Sequence, residues 1–252
     1  MELDTFFTVK AMRAIYRNNF EVEACQQDID IHDENYHHLT KVVRIQKGEK
    51  VIILNGRGLK GVYQVKLIDK KSIILSYVSH LECQRQHNIS IAVGVTKKAA
   101  VEEVLSNCVE LGVKSIYFVE TEFSQRDFNF SPRAQKIIET ALIQSNNYFM
   151  PGIVSPVKFE EMLQLSNQFD RSYVLCSDVG NRSQSMDSKT ICAHKNASCL
   201  FWIGPEGGFS ISEEKQIENS GATCLSFSLP ILRTPTAISV AVGYELASLI
   251  LK

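Results

Sequence analysis

Ile203-Gly204-Pro205-Glu206-Gly207-Gly208-Phe209-Ser210 is the stretch on which the fold turns. It follows an apolar run, Cys199 to Ile203, that reads as a strand. It leads into Ser210-Ile211-Ser212-Glu213, a capping-box pattern that starts a helix ending near Gly221. Strand, glycine loop and helix in that order put bare backbone beyond the carboxyl end of a strand, where ligands bind in open α/β sheets. Glycine there lets the main chain approach a ligand closely. The run is not a P-loop, because no Gly-Lys-Ser/Thr follows, and it does not fit GxGxxG. Taken by itself, it also fits a tight turn with a helix cap.

Strands and helices alternate around this loop. Ile89 to Val95 reads as a strand, and Ala99 to Leu111 as a helix with Val101, Val104, Leu105, Cys108 and Val109 at helical spacing. Gly112 stands where a helix C-cap belongs. Ser115 to Glu120 is the next strand, and Ser131-Pro132 opens another helix with Ser as N-cap and Pro at the first position. Ser172 to Cys176 and Thr223 to Phe227 read as strands, and Thr236 to Leu251 as a helix. The alternation predicts a mostly parallel sheet covered on both faces, an α/β fold.

The first third reads differently. Val51 to Asn55, Gly61 to Ile68 and Ser72 to Val78 are short strands, with a Gly56-Arg57-Gly58 turn between the first two. Such a run predicts a small barrel. The polar stretch Glu82 to Asn88 marks the boundary, giving domains of residues 1–82 and 83–252.

The chain has 252 residues, 44% hydrophobic and 22% charged, with net charge −1. A generic polyanion binder is more basic, so any polyanion bound here would need a local basic face. No apolar run suits a signal peptide or a membrane span. The seven cysteines show no CxxC pair and sit mostly in apolar segments, so free buried thiols in a reducing, cytoplasmic compartment are expected. His37-His38, placed on a strand, would point to different faces and lack a partner Cys or carboxylate pattern, so no metal is expected.

A second segment carries chemistry. In Leu229-Pro230-Ile231-Leu232-Arg233-Thr234-Pro235-Thr236-Ala237, one charge stands in an apolar loop before a helix, and Pro235 suits that helix's first position. Arg233 is the only charged side chain between Phe227 and Glu245, which predicts a buried guanidinium that needs an anion or carbonyls. A structural tie to a carboxylate is the other reading.

Together these segments resemble the RsmE family of SPOUT-class 16S rRNA (uridine-N3) methyltransferases. The family's IGPEGG loop stands intact at Ile203 to Gly208. Its closing motif is matched by Ile231-Leu232-Arg233-Thr234 and Thr236-Ala237, and its ELGV by Glu110-Leu111-Gly112-Val113. Nearer the N-terminus, Met12-Arg13, His37-His38-Leu39, Val42-Val43-Arg44, Gly48 and Asn55-Gly56-Arg57-Gly58 follow the family's order. The chain departs from the pattern at Asn107, Phe123, Asn147 and Pro235.

The resemblance implies a PUA-like barrel for RNA contact, then a SPOUT α/β domain whose end is tucked into a trefoil knot, and a homodimer. It implies S-adenosylmethionine as cofactor, held by Leu175, by Ile203, Gly204, Pro205, Glu206, Gly207 and Gly208, and by the second loop through Phe227, Leu229, Ile231, Leu232, Thr234 and Ala237. A bulky residue at Gly207 is expected to intrude on the cofactor's space. Arg233 is the candidate to stabilise negative charge on uracil, and Glu206 to order the loop, bind cofactor or act as base. Arg13, Arg44 and Arg57 are expected to hold rRNA phosphates. The departures keep two alternatives open: another RNA base or a ribose as target, or a catalytically weak RNA-binding factor in ribosome assembly.

Overall fold

The computed structural model describes residues 13–125, 132–176, 197–227 and 229–250. The chain divides into two compact units, Met1–Gln84 with Leu142–Phe149, and Arg85–Ala141 with Met150–Lys252. The expected cap at Ser131 lies outside the described residues.

The first unit is built on a five-stranded sheet in the order β1-β3-β4-β5-β2. Its strands are β1 (Ala14–Tyr16), β2 (Ile29–Ile31), β3 (Lys50–Leu54), β4 (Leu59–Ile68) and β5 (Ile73–Glu82). β1 runs parallel to β3 and the other pairings are antiparallel. Alternation along β4 sends Leu59, Gly61, Tyr63 and Val65 inward. There Leu59, Tyr63 and Val65 join Ile15, Phe20, Ile31, Val51, Ile53 and Ile73 in one core. Asn55 fixes the β3–β4 turn. Its buried Oδ1 accepts from the Arg57 and Leu59 amides at 2.8 and 3.0 Å, and its Nδ2 donates to the Phe20 carbonyl at 3.1 Å. His37 and His38 do not lie on a strand. His37 ends the helical turn α1 (Glu34–His37), and His38 opens a π-helical turn through Val42. Asp33 caps α1 by accepting from the Asn35 amide.

The second unit holds a six-stranded, wholly parallel sheet in the order β11-β9-β10-β6-β7-β8. The strands are β6 (Asn88–Gly94), β7 (Ser115–Glu120), β8 (Gly152–Lys158), β9 (Arg171–Leu175), β10 (Ser198–Ile203) and β11 (Thr223–Leu225). Between them run α2 (Lys98–Glu110), α3 (Pro132–Ser145), α4 (Phe159–Ser166), α5 (Ile211–Asn219) and α6 (Thr234–Ile250).

β10 lies at the centre, and Cys199 to Ile203 are buried on both faces. Leu200 and Trp202 face Phe159 and Met162 of α4 and Ile217 of α5. On the other face Phe201 stacks on Tyr173, which meets Tyr244 of α6 edge-on. Helices therefore cover both faces, as the continuous apolar strand requires. The chain lays β6, β7 and β8 outward in turn, then inserts β10 between β9 and β6. That reversal is the switch point at which α/β sheets open a crevice.

Two expectations on side chains need correction. Cys176 and Cys224, expected as free thiols, are bonded to each other, with Cα atoms 6.1 Å apart across the parallel pair β9–β11. Cys25, Cys83, Cys108 and Cys199 are free. α6 begins at Thr234, earlier than Thr236, because the Arg233 carbonyl already accepts from the Ala237 amide at 2.9 Å.

Candidate active site

A cavity of about 280 Å³ opens beyond the carboxyl ends of β9, β10 and β11. Every residue that the sequence assigned to the cofactor lines it. Leu175 and Ile203 close its floor at the strand ends, Gly204 to Gly208 form one wall, and Phe227, Leu229, Ile231, Leu232, Thr234 and Ala237 form the other. Cys176, Phe209, Glu214, Leu225 and Pro230 line it too, and the sequence reading did not include them.

The walls are fixed by local chemistry. Ser210 accepts from the Glu213 amide, and Glu213 accepts from the Ser210 amide, so the capping box anchors the end of the glycine loop. The Thr234 hydroxyl donates to the Gly204 carbonyl at 3.2 Å and ties the two loops together. Gly208 has φ +74°, and a Cβ there would meet no atom within 4 Å, so its backbone is bare toward open space.

Gly94, at the end of β6, was missed by the sequence reading. A Cβ there would lie 2.4 Å from Cδ of Pro205, so only glycine lets the loop seat against β6. Phe227 rests edge-on against Tyr244 at 5.8 Å. Burial, with Glu245 adding, pushes the Tyr244 phenol up, so it stays protonated at neutral pH.

Glu206 is placed by its Oε1, which accepts from the Lys97 amide at 3.2 Å, so the glycine loop is tied to the start of α2. Arg233 departs from expectation. It is not buried: its side chain is 70% exposed, and its Nη2 contacts both Glu103 oxygens, at 2.7 and 2.8 Å. The neighbouring loop is apolar but does not enclose it, since Leu229 is 51% and Ile231 89% exposed.

Gly207 also differs from expectation. A Cβ there would lie 2.9 Å from Cβ of Phe123, so a larger side chain meets Phe123 first. Asn107, one of the departures from the family pattern, donates to the Pro235 carbonyl at 3.2 Å and joins α2 to α6.

The three arginines proposed for RNA contact do not form one cluster. Arg13 pairs with Glu49 just before β3, while Arg57, beyond the other end of β3, pairs with Glu21. Arg44 is exposed, has φ 53°, and shows no ion pair among the described residues.

Comparison with known proteins decides the family. A model of the RNA methyltransferase domain matches residues 83–245, and one of the RNA methyltransferase PUA domain matches residues 31–76. The chain is 31% identical to ribosomal RNA small subunit methyltransferase E 2 of Borreliella burgdorferi, over 83% of this chain and 86% of that protein.

The chain belongs to the RsmE family.

Its N-terminal unit is PUA-like and its second unit has the RsmE methyltransferase fold. Another RsmE protein, from Bacillus subtilis, is 25% identical over 86% of this chain and 91% of its own. The crystal structure of a probable rRNA-methyltransferase from Porphyromonas gingivalis superposes with TM-score 0.75 at 26% identity, covering 94% of this chain and 98% of that one. An RsmE structure from Neisseria gonorrhoeae, bound to S-adenosyl methionine, shares the fold at TM-score 0.77 and 22% identity, covering 94% and 97%. Among the described residues no helix is long and apolar enough to cross a membrane.

Proposed function

We propose that this protein methylates N3 of a uridine in 16S rRNA of the small ribosomal subunit, using S-adenosylmethionine. The observation that carries the reading is the cavity between the two loops in a chain of the RsmE family. The names of its relatives, and the ligand in the Neisseria structure, supply the substrate and cofactor.

The residues present fit that cofactor. The cavity is near the lower end of the range for small-molecule sites, and one wall is bare backbone at Gly208 while the other is apolar. Leu229, Ile231, Leu232 and Ala237 suit the faces of an adenine ring. Backbone groups of the loops suit its edge, and Glu206 and Glu214 suit the polar end. When bound, S-adenosylmethionine supplies a methyl group on a cationic sulfur, ready for in-line displacement.

N3 of uridine carries a proton at neutral pH and lies on the base-pairing edge, so the base must be unpaired and the proton must leave. Negative charge then spreads to O2 and O4. Arg233 meets Glu103 through Nη2, and its Nη1 and Nε are further donors for that charge. Glu206 orders the loop through the Lys97 amide, which favours a positioning role over that of base.

The same reading includes several further assignments. Residues 1–82 and 83–252 form the RNA-binding and catalytic domains, and Arg13, Arg44 and Arg57 serve as phosphate contacts. The C-terminal segment is knotted and the protein is a homodimer, as the family resemblance implies. It works in the cytoplasm, where its small-subunit rRNA substrate is found.

Calorimetric titration with S-adenosylmethionine tests the site. One saturable site per chain is expected, weakened in Ile231→Asp, whose exposed position leaves folding intact. Absence of binding to the wild type, or unchanged affinity in the variant, contradicts the assignment.

A further inference from the structure

We infer that Phe123 is the platform on which the target nucleobase, or its neighbour, stacks as it enters the site. The inference rests on the RNA-methylating reading above and names a contact within it.

Among the described residues Phe123 is the one Phe, Tyr or Trp in the exposed class, at 48%. Every other such ring there is buried or half-buried. No aromatic ring of the described residues meets it. Its base sits on the glycine loop, where the position a Cβ would take on Gly207 lies 2.9 Å from Cβ of Phe123 and 3.4 Å from Cγ. Gly207 itself lines the cavity. The ring is thus held against the outside of the loop whose inner side faces the proposed cofactor site.

The turn that carries the ring is also fixed. It is closed by Ser124, whose hydroxyl accepts from the Thr121 amide at 3.0 Å and donates to the Thr121 carbonyl at 2.9 Å. The Glu122 amide donates at 2.8 Å to Glu213, the buried capping-box residue of α5. An apolar ring left in water on a rigid turn has no role in the core, and exposed aromatics bind unpaired bases by stacking.

Local charge points to a base and not a phosphate. Glu122 beside the ring is exposed, and Glu120 and Glu160 line the adjoining hollow with Lys158 as its one cation, so carboxylates outnumber positive charge and a phosphate is disfavoured there. A neutral uracil face is not. Stacking reads no hydrogen-bond edge, so N3 stays available for chemistry.

The test compares Phe123→Ala, Phe123→Leu and Phe123→Tyr in methyl transfer to small ribosomal subunits from cells lacking the modification. Stacking predicts that Ala and Leu each lose roughly five- to a hundredfold in kcat/KM. It also predicts that Tyr stays near wild type, and that calorimetric affinity for S-adenosylmethionine and mass by light scattering do not change. Full activity in Leu, or a changed mass, overturns the inference, the latter in favour of a contact between chains.

A second measurement reads the contact without turnover. Trp202, the one Trp of the chain, is fully buried. In Phe123→Trp, added oligouridine should quench the new exposed indole, and unchanged emission overturns the proposal. Quenching together with a wild type that methylates nothing leaves the stacking contact standing and overturns the reading on which it rests.

Discussion

Arg233 and Glu103 form a clamp across α2 and the start of α6, with Nη2 of the arginine 2.7 and 2.8 Å from the two carboxylate oxygens. Both side chains are largely in water. An exposed pair of this kind contributes about 0–1 kcal/mol, so the clamp orients the guanidinium more than it stabilises the fold.

Arg233→Lys therefore should melt within a few degrees of wild type. It keeps the charge but loses the planar fork, and methyl transfer should fall about a hundredfold, the scale of one lost transition-state contact. Glu103→Gln removes the clamp and keeps the arginine, and should retain most of the turnover. A well-folded Arg233→Lys with full turnover removes Arg233 from the mechanism.

Gly207→Ala places a Cβ against that of Phe123. The loop must shift, and affinity for S-adenosylmethionine should drop. Pairing it with Phe123→Gly removes the obstructing atoms and should restore affinity. A double-mutant cycle by calorimetry measures this coupling, and strictly additive losses would show that the two side chains do not meet.

Arg171 donates to Glu245 through Nη1 at 3.0 Å and through Nη2, and Glu245 is 1% exposed. Arg171→Met leaves that carboxylate buried without its cation and should destabilise the fold by about 3–5 kcal/mol. Arg171→Met with Glu245→Leu should recover most of the loss, because the unpaired charge is gone. Denaturant unfolding of the three proteins checks the order.

Arg44 has no ion pair among the described residues, whereas Arg13 and Arg57 are each paired with a glutamate. Arg44→Ala should then lower the salt slope of RNA binding by about one ion, more than either paired arginine alone. Equal slopes for wild type and Arg44→Ala would remove Arg44 from the RNA face.

Much of this architecture is legible in the sequence where local signals are strong. The capping box at Ser210, the apolar stripe of α2 and the run Cys199 to Ile203 each specify one element through hydrogen-bonding groups or periodicity that lie side by side in the chain. The three-residue strands β1 and β2 are too short for any period to show. β8 carries Pro156, which argues against a central strand; it fits because β8 is at the sheet edge.

The exposure of Arg233 was hidden for a different reason. An apolar neighbourhood in sequence suggested a core, but Leu229 and Ile231 are themselves in water. The pairings Cys176–Cys224, Arg171–Glu245 and Phe123–Gly207 join residues far apart in the chain, and only the sheet order brings them together.

The central claim is the reaction itself, and the most direct measurement is the position of the transferred methyl group. Small ribosomal subunits from cells lacking this gene are incubated with the purified protein and S-adenosylmethionine, and the 16S rRNA is digested and mapped by mass spectrometry. The account predicts one new 3-methyluridine at a single unpaired position, formed about a hundredfold more slowly when Arg233→Lys replaces the wild type. No methyl transfer, or a methyl group on a ribose or on another base, contradicts it.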